Sequence, residues 1–238
     1  MSQNVLVTGT GREQALGFAF VRRYLEQGDT VFASVRKPSE ALEMLQKSYP
    51  DTLHILQMDI GNTESVVKAA KEVAGIVDHI DLIVNNAVTT SPDCGKEFKD
   101  TNLDLISAAF DIAAVGPLRV IQAFMSLLNN SKMTALIVNI SSEAGSIGAC
   151  YRTNMIDYAM SKAALNMATK TLQNTFKDNA KLNILCVHPG WNRTNEGNAK
   201  APLIPYDNAE TMRVLFEERR NIKDGDLFIT YEGKAYPW

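Results

Sequence analysis

Cysteine is scarce in this chain. Among 238 residues there are three, Cys94, Cys150 and Cys186, widely spaced and with no CxxC pair. So odd and sparse a count argues against a disulfide framework and against a zinc site. Small buried or half-buried thiols are the expectation. Neither sign of charge dominates. Lys and Arg number 24 against 27 Asp and Glu, a formal net charge of −3, with acids and bases mixed along the chain. This argues against a nucleic-acid-binding stripe and a polybasic membrane-binding run, although a local basic pocket stays open. No apolar run reaches the roughly 18 residues of a membrane span. The start, MSQNVLVTG, has no basic segment followed by an apolar one, so no signal peptide is expected. A reducing, cytoplasmic compartment is the default expectation.

What the sequence does have is an alternating pattern. Hydrophobic residues make up 45% of it, enough for a substantial core. Short apolar runs predict strands at Val5–Gly9, Thr30–Val35, Leu53–Ile60, Asp81–Ala87, Thr134–Ser142 and Leu182–Gly190, with a last one within Gly225–Gly233. Between them, apolar residues at helical spacing predict helices at Leu16–Gln27, Ser39–Lys47, Thr63–Ala74 and Ile156–Phe176. The apolar stretch Leu103–Leu128 predicts one long helix or two joined. Strands apolar on both faces and alternating with helices indicate an α/β fold, a doubly wound parallel sheet of about seven strands covered on both sides. Residues 1–238 are expected to form a single domain. The irregular stretch Asn192–Pro205 reads as a surface loop, since too few residues follow it for a second domain.

Two motifs carry chemistry. TGTGREQALG, from Thr8 to Gly17, lies between a predicted strand and a predicted helix, the context of a loop that wraps a dinucleotide pyrophosphate. Its glycines, Gly9, Gly11 and Gly17, fit neither GxGxxG nor TGxxxGxG, so an ordinary strand-to-helix turn is the rival reading. YAMSK places Tyr158 and Lys162 on one helical face. An ammonium beside a phenol lowers its pKa, so such a tyrosine can exchange a proton with a carbonyl or alcohol oxygen. A serine hydroxyl, here Ser142, can hold that oxygen. Alone, a YxxxK pair is weak evidence.

Together with NNA at Asn85–Ala87, NISS at Asn139–Ser142 and PGWNRT at Pro189–Thr194, in matching order over nearly the whole chain, these motifs resemble the short-chain dehydrogenase/reductase family. The PGW turn and the ending YEGKAYPW look most like its small carbonyl reductases related to C-factor and sniffer. The resemblance implies a Rossmann-type fold and an NADPH-dependent oxidoreductase that reduces a small, compact carbonyl compound. Tyr158 would be the general acid. Lys162 would lower its pKa and hold the nicotinamide ribose. Ser142 would orient the substrate oxygen. Gly9, Thr10, Gly11, Arg12, Leu16 and Gly17 would line the pyrophosphate and adenosine side. Asp59 and Ile60 would contact adenine, Asn86 and Ala87 the adenosine ribose region, and Pro189, Gly190 and Thr194 the nicotinamide end. The family's NAD-binding members carry an acid after the second strand. Here Val31–Pro38 has none, and Arg36, with Lys37 or Arg12, would pair with a 2′-phosphate, which points to NADP(H).

Three departures stand out. The interval from Ser142 to Tyr158 is longer than usual, with the extra residues in GACYRTNM (Gly148–Met155). Asn192 stands where the family often has an apolar residue. Ala113 stands where relatives carry an asparagine that bends its helix and anchors a water between the catalytic lysine and solvent. Ala113 and the unusual glycine loop keep a second reading open, a weakly active or non-catalytic nucleotide-binding protein acting as a sensor or interaction partner. His188, Met155 and Met160 read as structural. Tyr151, with no lysine or arginine four residues on, reads as a pocket wall or surface aromatic. Trp191 fits pocket or core equally. A homodimer or homotetramer through the long helices, or a monomer, are all open.

Overall fold

The computed structural model describes residues 2–194 and 199–238. Seven parallel strands form one sheet, in spatial order β3-β2-β1-β4-β5-β6-β7. They are β1 (Asn4–Thr8), β2 (Thr30–Val35), β3 (Leu53–Gln57), β4 (Leu82–Asn85), β5 (Ala135–Ile140), β6 (Leu182–His188) and β7 (Phe228–Thr230). The helices are α1 (Leu16–Glu26), α2 (Glu40–Ser48), α3 (Thr63–Ala74), α4 (Ile106–Phe110), α5 (Gly116–Asn129), α6 (Ile156–Thr175) and α7 (Pro205–Arg219). None among the described residues is long and apolar enough to cross a membrane.

Strand side chains alternate between the two faces, and both faces are buried. Val5, Val7, Val31, Ala33, Leu82, Val84, Leu136 and Val138 pack with α1, α2 and α7. Leu6, Phe32, Ile83, Ile137 and Ile184 point the other way and pack with α3, α5 and the end of α6. This two-sided burial is why the strands read as continuous apolar runs. Most predicted strands overran by one to three residues at the C-terminal end, where the chain turns out into the loops that build the site.

Helix α7 has no counterpart in the sequence reading, which closed a loop at Pro205 and assigned no element before the last strand. Pro205 instead opens the helix, where a missing N–H costs nothing. Its buried residues, Asn208, Ala209, Met212, Leu215 and Phe216, keep helical spacing, but a polar majority hides them. Asn208 explains the departure at Asn192. Both are buried, at 4% and 7% exposure. The Asn208 amide donates to the Asn192 side-chain oxygen at 2.9 Å and to the Pro189 carbonyl at 2.7 Å. Asn192 itself donates to the Pro189 carbonyl at 2.8 Å. A polar clamp thus replaces apolar packing and fastens the turn after β6 to α7.

The long apolar stretch is two helices joined by a π-helical segment, Asp111–Val115, with Ala113 at its centre. Relatives were expected to owe this bend to the asparagine, yet it is present with alanine. Pro117, near the start of α5, has no N–H to give to the Ala113 carbonyl. Arg119 clasps both carboxylate oxygens of Asp111, at 2.7 and 2.9 Å, across the segment. Proline and ion pair hold the distortion without a side chain at position 113.

The clamp gives a stability prediction. Asn208→Ala leaves buried acceptors short of a donor and should cost about 1–3 kcal/mol. Urea unfolding measures it, and an unchanged midpoint would mean that water replaces the amide's bonds.

Candidate active site

The C-terminal ends of parallel strands are where a doubly wound sheet opens a crevice, at the point where connections leave for opposite faces. Here that point lies between β1 and β4. Gly9, with φ +73°, turns the chain out of β1. A Cβ on Gly9 would lie 2.6 Å from the Ala87 Cα. One on Gly17 would lie 2.4 Å from the Gly9 carbonyl oxygen and 2.5 Å from the Asn86 amide nitrogen. Both positions therefore require glycine. Thr8 Oγ1 accepts from the backbone N–H groups of Asn86 and Ala87, both at 3.0 Å, and the Asn86 amide donates to the Thr8 carbonyl at 2.9 Å. The TG and NNA motifs are thus the two halves of one contact. The polar ladder continues beneath it, Asn85 to Asn139 at 2.9 Å and Asn139 to Thr169 at 2.9 Å, which ties NNA to NISS.

Helix α1 begins beside this contact with no side-chain cap and no acid in its first turn. Helices α2 and α3, by contrast, are capped by Ser39 and Asn62. The first N–H groups of α1 therefore have no side-chain acceptor, the arrangement that suits a bound phosphate. Gly11 and Arg12 are exposed at its mouth, as are Arg36 and Lys37 after β2. No ion pair holds these three cations among the described residues. Ser39, which the sequence reading passed over, braces the loop by donating to the Gly11 carbonyl at 2.9 Å.

Three expected cofactor residues, Thr10, Ile60 and Leu16, turn their side chains elsewhere. Thr10 is fully buried, and its hydroxyl and amide both donate to the Ser34 carbonyl, at 3.1 and 3.2 Å. It anchors the loop to β2. Ile60, 4% exposed, packs against Gly116 of α5. Only the backbones of these two are left to line the crevice. Leu16 likewise belongs to the core. Asp59 is half-buried and spends one oxygen on the Gly61 N–H at 2.9 Å. Asn86, Ala87, Pro189, Gly190 and Thr194 are half-buried along the rim. Trp191, 54% exposed, is not a core residue. Residues 195–198 of the loop expected at Asn192–Pro205 lie outside the described residues.

Ser142, Tyr158 and Lys162 converge beyond β5. Ser142 is buried and caps a short 3-10 turn, its hydroxyl accepting from the Ala144 N–H at 3.1 Å. A Cβ on Gly145 would meet the Lys162 backbone at 2.8 Å, so this turn and α6 fit closely. Tyr158 lies in the first turn of α6, half-buried, with Ser142 among the groups that bear on its hydroxyl. Lys162, one turn on, holds its ammonium 5.8 Å from the Tyr158 ring centre and donates to the Ile140 carbonyl at 2.7 Å. The expected depression of the tyrosine is not found. Burial raises the Tyr158 pKa, Ser142 works against that, and the Glu143 carboxylate adds to it. Burial also pushes Lys162 down to about 8. At neutral pH the phenol keeps its proton and the amine its charge.

Sequence reasoning missed a charged group at the same place. Glu143 accepts from the Ser142 hydroxyl and pairs with Arg152. Its backbone N–H donates to His188 Nδ1 at 3.2 Å. Burial lowers the His188 pKa, which favours the neutral ring. Arg152 comes from the lengthened segment Gly148–Met155, which enters α6 through Met155 in the left-handed region, φ 60°. Through Arg152 that segment reaches Glu143, the partner of the Ser142 hydroxyl, while Tyr151 in it is 72% exposed. No signal flagged Glu143, which stands in no motif and only follows Ser142. No cluster of His, Cys, Asp or Glu among the described residues fits a metal ion.

This geometry is that of an NAD(P)-type oxidoreductase, and comparison with known proteins agrees. The model of the short chain dehydrogenase family matches residues 3–202, and the chain belongs to that family of oxidoreductases. An uncharacterised oxidoreductase of Schizosaccharomyces pombe is 30% identical, with 96% of each chain covered. The NADPH-bound carbonyl reductase from chicken fatty liver has the same fold, at TM-score 0.87 and 26% identity, covering 100% of this chain and 99% of that one. The carbonyl reductase Sniffer of Drosophila melanogaster gives 0.89 and 25%, with 100% of each chain covered.

Lys162 makes a pH prediction. Its pKa falls from an unfolded value of 10.5 to about 8 in the fold. Between those values the unfolded chain binds more protons, so this residue's contribution to stability rises with pH. Relative to Lys162→Met, the protein should gain on the order of 3 kcal/mol from pH 8 to 10.5. Parallel stability curves for the two forms would refute it.

Proposed function

We propose that this chain, acting as one nucleotide-binding domain, reduces a small carbonyl compound to an alcohol with NADPH. The convergence of Ser142, Tyr158 and Lys162 beside an uncapped helix carries the reading. The residues present suit the dinucleotide. Gly9 and Gly17 leave a backbone cradle, the open N–H groups of α1 suit the pyrophosphate, and Arg36, with Arg12 or Lys37, suits a 2′-phosphate. The bound reduced nicotinamide would supply a hydride. NADPH-bound relatives of the same fold support the choice of cofactor.

The chain's own groups do the rest. Lys162, charged below about pH 8, holds the ribose and keeps positive charge beside Tyr158. Ser142 turns its hydroxyl to the substrate oxygen. Tyr158, protonated because burial raises its pKa, gives that oxygen its proton as the carbonyl carbon is reduced. A raised tyrosine pKa suits the reductive direction, which needs a phenol rather than a phenolate. A sensor that binds without turnover is favoured by Ala113, which offers no polar side-chain atom, and by the unusual spacing of the glycines in the opening loop.

NADPH oxidation with a panel of aldehydes and ketones tests the reading, and binding without turnover across that panel would favour the sensor. Tyr158→Phe should cut the rate about 10²-fold or more, with NADPH affinity nearly unchanged. Parent-like reduction by this variant would remove Tyr158 from the mechanism. Arg36→Asp should weaken NADPH binding by roughly 2–4 kcal/mol and leave NADH binding less affected. Equal affinity of the unmodified protein for the two cofactors would refute the 2′-phosphate assignment.

A further inference from the structure

We infer that Arg152 is a substrate-recognition residue, and that it selects a carbonyl compound with a second, uncharged carbonyl oxygen on the neighbouring carbon, a vicinal diketone or a 2-keto ester. The inference rests on the reading of the chain as a carbonyl reductase.

The lengthened segment Gly148–Met155 brings a guanidinium to the reactive end. Arg152 Nη2 donates to Glu143 Oε1, and the other oxygen of that carboxylate, Oε2, accepts from the Ser142 hydroxyl at 2.5 Å. Arginine and serine thus grip the two oxygens of one carboxylate. They stand apart by no more than that carboxylate and two hydrogen bonds, roughly 7 Å. The positive charge of Arg152 also bears on the Tyr158 phenol, so the guanidinium borders the space where the reacting oxygen sits.

This guanidinium has hydrogen-bonding capacity to spare. Nη1 meets only the Met155 thioether, at 3.1 Å, and a thioether is a weak acceptor. Nε is buried with no partner among the described residues. A buried donor left short is costly and calls for an explanation. The Arg152 side chain nevertheless keeps 23% of its surface open. Nη1 is the donor whose partner can be displaced. Methionine is unbranched and adaptable, so Met155 can swing aside for a stronger acceptor. Its sulfur holds the place of an oxygen that the substrate brings.

The positions of the donors set the substrate class. With the reacting oxygen at Ser142 and Tyr158 and a second oxygen at Nη1, the two substrate oxygens lie at most a few ångströms apart. Carbonyl groups on neighbouring carbons meet that spacing. The second oxygen is uncharged, because Glu143 already neutralises Arg152 and would repel an anion beside it. The reacting carbon accepts the hydride of the reduced nicotinamide and its oxygen takes the Tyr158 proton. The second carbonyl is left intact, so the product is a 2-hydroxy ketone or a 2-hydroxy ester.

The test measures kcat and KM with NADPH for 2,3-butanedione, 2-butanone and pyruvate. It compares the unmodified protein with Arg152→Gln and with the double variant Glu143→Gln/Arg152→Gln, which leaves no carboxylate unpaired and stands in if the single variant folds poorly. The diketone is intrinsically the more reactive, so the quantity read is the change in its preference over 2-butanone. Each variant should lose about tenfold or more of that preference in kcat/KM, chiefly through a higher KM for 2,3-butanedione. An unchanged preference in the double variant would overturn the inference. An equal loss for both ketones counts as unchanged, since it would mark Arg152 as a prop for Glu143 and Ser142. The unmodified protein should reduce pyruvate about tenfold less efficiently than 2,3-butanedione, and a preference for pyruvate would overturn the uncharged class. Turnover of other aldehydes and ketones but not of 2,3-butanedione would overturn the substrate class alone. Absence of NADPH turnover with every carbonyl tried would instead overturn the functional reading, and this inference with it.

Discussion

The candidate site is built on a contact between two backbones. Gly9 and Ala87 meet where β1 and β4 end, at a separation that excludes a side chain on Gly9. The Thr8 hydroxyl and the Asn86 amide lock that contact. Without it the N-terminus of α1 would not face the crevice, and Arg36 and Lys37 would have no phosphate-sized opening to border. The Asn85–Asn139–Thr169 ladder then carries the alignment across β5 to α6, where Lys162 stands. The ladder joins the two halves of the crevice, although the Asn85 side-chain oxygen at its start is buried without a partner among the described residues.

The site also divides its electrostatic labour. The cofactor end is cationic and open, where a dinucleotide's negative charge belongs. The reactive end is buried, and its charges come as pairs: Arg152 with Glu143, and the Lys162 ammonium against a carbonyl dipole. Pairing lets a buried end keep ions that burial alone would neutralise. The lengthened segment Gly148–Met155 is therefore part of the chemistry's surroundings rather than a surface ornament.

Much of this was legible in the sequence. The sheet was, because two-sided burial writes itself as apolar runs, and so was the grouping of Ser142, Tyr158 and Lys162, through the order of the motifs rather than their spacing, since the interval from Ser142 to Tyr158 is longer than usual. The opening loop was legible only by context. Side-chain direction within it was not. Thr10 and Ile60 sit beside residues that line the crevice yet turn inward, and nothing local distinguishes in from out in an irregular turn. Helix α7 was hidden because its apolar stripe is thin and its first residue is proline. Glu143 and the Asn192–Asn208 clamp were invisible for another reason: each matters through a partner distant in sequence, Arg152, His188 or Asn208.

The strand order has a consequence in time. β1 leaves the ribosome first but lies in the middle of the sheet, between β2 and β4. Its register with β4 pairs Val5 with Leu82, so one flank stays open until nearly eighty further residues have been made. The crevice lies on that late seam. A nascent chain can therefore bury α1 and α2 on β1–β3 well before it has anywhere to hold a dinucleotide. Of the edges that later pair within the sheet, the one left open longest during synthesis is the one that borders the crevice.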